Sequence, residues 1–355
     1  MKKHLIAAAV AAAVAAPAMA QVSLDGYWEG NYGSIKKSGG AATTKTTSMN
    51  GLSDVFGGSE INFRGTEDLG GGLKAGFRLT KEFSEATGAG VNASEWTNAF
   101  LTVETGMGTI AAGRFISGAR DLGGVYRFNG DFGRVNAFVN TAGNRPGQQI
   151  QYTSPAFMGF NLVLGSAKAE TDGSDSATSE SLAMIRYVAG PLRVAASSNK
   201  IKGRPADTGS ATAAAKASNA NQKETAVGGS YDFGVAKLGL AYFKDDLAAA
   251  NGVSAQKSDG KATTVQLEAP LSGGVTLMAG YNKYQSDIAQ ADGSGIAVGV
   301  KYALSKRTNL FAVHNKDKNE ANANWNFRAY GADIGGDLAN GEDLSRTVFG
   351  INHSF

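Results

Sequence analysis

Leu73-Lys74-Ala75-Gly76-Phe77-Arg78-Leu79-Thr80 is the stretch from which the fold can be read. Side chains alternate along an extended chain, so Leu73, Ala75, Phe77 and Leu79 share one side while Lys74, Arg78 and Thr80 share the other. One side suits hydrocarbon and the other suits water. The pattern returns further along the chain, with Val275, Leu277, Ala279 and Tyr281 opposite Thr276 and Asn282, and Ile296, Val298, Val300 and Tyr302 opposite Lys301. It recurs with Thr263, Val265 and Leu267 opposite Thr264, Gln266 and Glu268, and in the last residues, where Phe349, Ile351, His353 and Phe355 alternate with Gly350, Asn352 and Ser354. Such segments are about the ~10 residues that a tilted strand needs to cross a bilayer.

A soluble sheet also alternates, and the connections separate the two readings. Short ones are Asp68 to Gly72, Thr105 to Gly108, Ser154 to Gly159, Gly190-Pro191, Asp232 to Gly234, Ser272 to Gly274 and Ser305 to Arg307. Between them lie polar stretches at 34–59, 84–94, 116–147, 168–180, 199–223, 245–260, 285–294 and 316–343. Seven turns and eight loops join sixteen strands, the even number that an up-and-down barrel with both termini on the periplasmic side requires. The expected fold is therefore all-β: a transmembrane antiparallel up-and-down β-barrel of about 16 strands. In hydrocarbon an unpaired backbone N–H or C=O costs several kcal/mol, so the first strand, Val22 to Tyr32, must pair with the last, Ser345 to Phe355. Val22, Leu24 and Trp28 then face lipid, and Ser23, Asp25 and Glu29 face the lumen.

The first 20 residues combine Lys2 and Lys3, an apolar run from Leu5 to Ala16, and the small residues Ala18 and Ala20. This is a secretory signal peptide with cleavage after Ala20, leaving 21–355 as one barrel domain. No later segment approaches the ~18 consecutive apolar residues of a transmembrane helix. Removing two of 34 basic residues leaves 32 against 31 acidic ones, a net charge of +1 that argues against a nucleic-acid partner. There is no cysteine, so neither a disulfide nor a thiolate metal site forms. The hydrophobic share of 42% and mean hydropathy of −0.18 suit a barrel with a wet interior, in which only every second strand residue meets lipid.

Several stretches resemble the general porins of Gram-negative bacteria, most closely the β-proteobacterial branch. They are Arg64-Gly65-Thr66-Glu67-Asp68-Leu69-Gly70-Gly71-Gly72-Leu73-Lys74-Ala75, Ala112-Gly113-Arg114, Tyr152-Thr153-Ser154-Pro155 with Phe157 and Gly159-Phe160, Tyr231 to Leu238, Leu304 to Thr308, and His353-Ser354-Phe355. The first is the most specific. The resemblance implies a homotrimer of 16-stranded barrels in the outer membrane, each passing ions and small hydrophilic solutes by passive diffusion. It implies a third loop, here 116–147, folded into the lumen, and a terminal Phe355 read by the barrel-assembly machinery.

The resemblance also implies a charged constriction with basic residues on the wall and acidic ones on the loop. Fixed charges there act on partly dehydrated ions more strongly than in bulk water. Alternation assigns Arg64, Lys74 and Arg78 to the wall, and the loop supplies Arg120, Asp121, Arg127, Asp131, Arg134 and Arg145. Four arginines against two aspartates on that loop predict a weak anion preference. The alternative is that several of these arginines pin the loop to the wall. Glu60, Glu95 and Thr97 stand where relatives carry arginine, which leaves weak or reversed selectivity open. Gly113 bends the strand end, so the parity of Arg114 is open between lining the constriction and anchoring the loop. Arg186 and Glu82 are further lumen candidates.

No nucleophile motif surrounds His314 or His353, no acidic or histidine cluster has ligand spacing, and no helix follows Gly70-Gly71-Gly72, so neither an enzyme nor a cofactor or metal is implied. Two other readings remain. A surface-binding or structural barrel with a closed lumen shows no stepwise current. A substrate-specific channel needs an aromatic track, for which Tyr27, Tyr126 and Tyr284 are scattered.

Overall fold

In the computed structural model the described residues are 21–40, 43–49, 56, 58–85, 96–116, 119–128, 145, 147–168, 179–205, 219–248, 260–325 and 338–355. The strands are β1 (Gln21–Ser38), β2 (Thr44–Met49), β3 (Ser59–Gly70), β4 (Leu73–Phe83), β5 (Asn98–Thr105), β6 (Gly108–Arg114), β7 (Gln149–Thr153), β8 (Phe160–Lys168) and β9 (Ser179–Ala189). They continue with β10 (Leu192–Pro205), β11 (Asn219–Asp232), β12 (Lys237–Ala248), β13 (Gly260–Pro270), β14 (Val275–Ser286), β15 (Gly293–Ala303), β16 (Thr308–Asn319) and β17 (Asp343–Ser354). One short helix, α1 (Ala119–Tyr126), lies between β6 and β7.

All seventeen strands belong to one antiparallel sheet that closes on itself. β2 and β3 are two pieces of a single lane. β1 pairs with β2 from Tyr32↔Met49 to Lys37↔Thr44, and with β3 from Gln21↔Thr66 to Tyr27↔Glu60. The barrel therefore has the sixteen lanes read from the sequence. Closure runs from Tyr27↔Ser354 to Ser38↔Asp343. Phe355 extends it by exchanging backbone hydrogen bonds with Gly26 at 3.1 and 3.0 Å. The seven short connections all fall at turns between strands.

The long stretches are narrower than the sequence reading drew them. β1 continues to Ser38, β2 lies wholly inside 34–59, and β14 and β16 run on to Ser286 and Asn319. Beyond the apolar band the outward face of a strand meets water instead of lipid, so hydrophobic alternation fades, while backbone pairing and burial of the inward face persist, as at Ile35, Tyr284 and Asp317.

Alternation in burial matches the sequence pattern. Val22 and Leu24 are exposed at 62% and 60% while Glu29 is fully buried, and Leu101, Val103 and Ile110 continue the exposed apolar band on β5 and β6. The opposite faces carry two clusters of buried apolar side chains. One joins Leu122, Val125 and Tyr126 of α1 to Leu182, Met184, Ala195, Ala226, Ala241 and Phe243. The other gathers Met278, Phe311, Val313 and Val348, with Phe56 packed against it.

Candidate functional site

The face turned away from the apolar band carries the charged residues. On β1, β3 and β4 they form one strip. Arg64 Nε stands 2.9 Å from Asp25 Oδ2, and Arg78 Nη2 stands 3.6 Å from Glu60 Oε1. Arg64 and Arg78 face each other directly across the β3–β4 ladder. Like charges in that position repel, and Asn62 sits at the junction. Its carbonyl oxygen accepts from Arg78 Nε at 3.2 Å, Nη2 at 2.9 Å and the Thr80 hydroxyl at 2.7 Å. Its amide donates to Asp25 at 3.1 Å and Glu60 at 2.9 Å. Asn62 thus orients both acids and one guanidinium, a role that charge alone does not reveal in the sequence. Further along, Arg145 donates to Glu82 at 2.8 Å, and the Ser59 hydroxyl donates to Glu85.

Half a circumference away, the same face of β9–β12 is acidic and amide-rich. Glu180, Glu224 and Asp245 are all buried. Asn199 donates to Glu180 at 2.8 Å and Gln222 donates to Asp245 at 2.8 Å. The paired arginines and acids of β1, β3 and β4 thus stand across the barrel from these buried carboxylates, with which Arg186 of β9 shares a face.

α1 makes its strand contacts with β10, β11 and β12. Ser230 Oγ donates to the Val125 carbonyl at 2.5 Å, and the Tyr126 and Phe243 rings meet edge-on at 5.9 Å. Glycine makes the approach possible. A Cβ on Gly239 would lie 2.0 Å from the Tyr126 carbonyl oxygen, and one on Gly228 would lie 2.9 Å from Leu122 Cδ2. Gly228, Ser230, Gly239 and Phe243 all lie on the side turned away from the exposed Leu240 and Tyr242.

Of the residues chosen from the sequence, Arg64 and Arg78 come together. Lys74 shares their parity but lies two inward positions nearer the short turns, roughly 13 Å along the strand, in register with Asp68 and Glu104. Arg114 pairs with Ala99, in the row of Leu79 and Leu101 and not in that of Arg78, and Gly113 beside it has φ +134°. Arg120 and Asp121 fall within α1 and Arg127 just after it. Asp131 and Arg134 lie outside the described residues, as do residues 1–20, the stretch expected to be a signal peptide. Arg186 donates to Met184 Sδ at 3.3 Å.

A model of the Gram-negative porin family matches residues 7–322. The chain belongs to the Gram-negative porins. It is 31% identical over 375 residues to outer membrane porin protein 32 of Delftia acidovorans, covering 100% of both chains. It is 28% identical over 377 residues to an outer membrane porin protein of Bordetella pertussis, covering 90% of this chain and 95% of the relative. Among solved structures it resembles an anion-selective porin from Comamonas acidovorans with TM-score 0.78 and 24% identity, over 95% of this chain and 100% of that one. It also resembles the trimer form of OmpT from Vibrio cholerae with TM-score 0.72 and 15% identity, over 95% and 99%.

The porin is thus an integral β-barrel of the outer membrane that conducts ions and small hydrophilic solutes passively. Arg346, buried on β17 with Nε 3.0 Å from Asn315 Oδ1, is a further wall arginine missed in the sequence. Its parity in the C-terminal strand was legible. So was that of Asp25 and Glu29, but not the pairing of Asp25 with Arg64. Phe56 was hidden inside a polar stretch. It packs edge-on against Phe311 at 5.0 Å, and the Lys301 ammonium stands 5.9 Å from its ring centroid. Arg145 and Glu82 are 14% and 17% exposed, so removing one partner leaves the other poorly solvated. Glu82→Ala is expected to destabilise the folded porin by about 1–3 kcal/mol. Earlier loss of the heat-resistant form on gels measures this, and an unchanged transition counts against the tether.

Proposed function

We propose that this porin is a homotrimeric diffusion channel with a weak anion preference and no catalytic role, exported by cleavage after Ala20. The observation that carries the selectivity is an asymmetry of exposure. Arg64 and Arg78 side chains are 45% and 31% exposed, more than Asp25 and Glu60 at 38% and 26%, and the carboxylates across the barrel are buried. A passing ion meets guanidinium groups before carboxylates. The anion-selective solved neighbour supports the same sign, and the OmpT trimer form supports the assembly. In this reading 116–147 is the constriction loop, held by α1 on β10–β12 and by Arg145 on Glu82. Arg120, Asp121, Arg127, Asp131 and Arg134 are its charges, Arg114 anchors its base, and Lys74 serves the mouth. Phe355 is the assembly mark.

Reversal potentials across a planar bilayer under a salt gradient test the proposal, and a clear cation preference overturns it. Gly239→Val tests the loop. The added methyl groups occupy the place of the Tyr126 carbonyl, and overpacking of about 1–3 kcal/mol is expected to push α1 off the wall and lower single-channel conductance. Wild-type conductance in that variant would remove α1 from the pore.

A further inference from the structure

The lane that β2 and β3 share is interrupted part-way up the wall. The β1–β2 ladder ends at Tyr32↔Met49 and the β1–β3 ladder begins at Tyr27↔Glu60. Ten residues, 50–59, therefore stand against the four β1 positions from Trp28 to Asn31, six more than a continuous strand would use. Phe56, from this insertion, packs on the inner side of the wall. It rests on the buried cluster that includes Met278, Phe311, Val313 and Val348, whose strand neighbours Leu277, Leu310 and Phe349 are exposed on the opposite face. Apolar side chains in a wet lumen are buried only beneath a cover, and Phe56 is part of that cover.

Three contacts fix this residue. Its ring meets Phe311 edge-on at 5.0 Å, and the Phe311 ring lies over Gly350, where a Cβ would run into it. The Lys301 ammonium stands 5.9 Å from the Phe56 ring centroid, within reach of a cation–π attraction. The Phe56 backbone N–H donates to Glu29 Oε2 at 3.0 Å, the oxygen that also accepts from the Tyr27 hydroxyl at 3.3 Å. Phe56 is nevertheless only partly buried, so the rest of its ring faces lumen water. Tyr27 faces Glu60 across β1–β3, and Glu60 stands 3.6 Å from Arg78 Nη2. Ions drawn to the Arg64 and Arg78 strip thus pass an apolar ring on the adjoining wall.

We propose that Phe56 is a size-determining residue of the pore, an apolar stop that narrows the lumen beside the arginine strip and limits the hydrated ions and solutes that pass. A phenyl ring offers no hydrogen bond to replace lost hydration, so it acts through cross-section while the arginines act through charge. The proposal rests on the chain being an open diffusion channel. It does not depend on the role of loop 116–147, because α1 lies on a different arc of the barrel, β10 to β12.

The chain has no cysteine, so F56C introduces a single thiol. Current through the full-length variant in planar bilayers is recorded before labelling, which establishes the open channel separately. The thiol is then modified with a cationic or an anionic methanethiosulfonate of similar size. Both adducts are expected to lower single-channel conductance and to shift the reversal potential in opposite directions. A unit charge ~6 Å from the ion path should separate the two anion-to-cation permeability ratios by roughly tenfold or more. Unchanged current and reversal potential after complete labelling overturn the proposal, as does a thiol that neither reagent reaches. Equal shifts from V298C, on the lipid-facing side, overturn it as well. Should F56C not fold, F56W decides, since it keeps an aromatic ring on Phe311: conductance below wild type supports the proposal, and wild-type conductance refutes it.

Discussion

Replacing Arg64 and Arg78 together by alanine is expected to turn the proposed weak anion preference of this porin into a cation preference. The two guanidinium groups face each other across β3 and β4 and are held by Asp25, Glu60 and Asn62. Removing both leaves Asp25 and Glu60 without their arginine partners, so the strip goes from balanced to doubly negative. At an effective dielectric constant of ~20 a unit charge ~6 Å from a passing ion contributes about 3 kcal/mol, which salt screening reduces to about 1 kcal/mol. That corresponds to roughly a fivefold to tenfold change in the anion-to-cation permeability ratio, read as a shift of reversal potential. The companion variant D25N/E60Q is expected to move the ratio the other way. Reversal potentials that stay put in both variants would place the selectivity determinants elsewhere.

Closing the barrel depends on a seat for the last residue, and Gly26→Val is expected to destroy it. A Cβ at Gly26 runs into the Phe355 ring and lies 2.7 Å from the Glu60 carbonyl oxygen. The ring must leave, and the backbone bonds between Gly26 and Phe355 are strained with it. Overpacking contributes about 1–3 kcal/mol, and each backbone group unpaired in hydrocarbon adds several kcal/mol. The folded, heat-resistant fraction after refolding should therefore fall by about tenfold or more, since 1.4 kcal/mol is a factor of ten. Adding Phe355→Ala to Gly26→Val removes the clash and is expected to restore part of the yield. A double variant no better than the single one would show that Glu60, not the ring, sets the constraint.

The two families of basic residues divide the labour. Arg64, Arg78 and Arg346 sit on the inner parity with amide or carboxylate partners, where the planar guanidinium can hold several directed hydrogen bonds at once. Lys200, Lys223, Lys244, Lys261, Lys283 and Lys316 have the parity of the exposed apolar residues and point outward, where a flexible, strongly hydrated ammonium suits a fluid interface. In this chain Arg-to-Lys exchange is therefore not conservative at either surface.

The order of strands and turns was legible because the bilayer imposes a period on the residues that touch it. Leu73 to Thr80 already sorts into a lipid face and a wet face, and every short turn was visible. The same cause limits the reading. Thr44 to Met49 pair with β1 as a strand, yet Thr44 to Thr47 are exposed on both faces, so no alternation of hydrophobic and polar residues announces it. Candidate pore residues were legible as to face only. Lys74 and Arg78 are equivalent in pattern, yet only Arg78 meets Asn62 and Glu60. Arg114, next to the bent Gly113, could not be assigned at all.

By itself the sequence determined that the chain must close into a cylinder, which residues turn to lipid and which to water, and which lysines and arginines share a face. These follow from local alternation and from the need to pair every backbone group in hydrocarbon. Only the tertiary structure decided which charges meet: Arg64 with Asp25, Arg145 with Glu82, α1 upon Gly239. Those partners are distant along the chain, and their approach is set by strand register and by glycines that leave room, quantities that no single strand encodes.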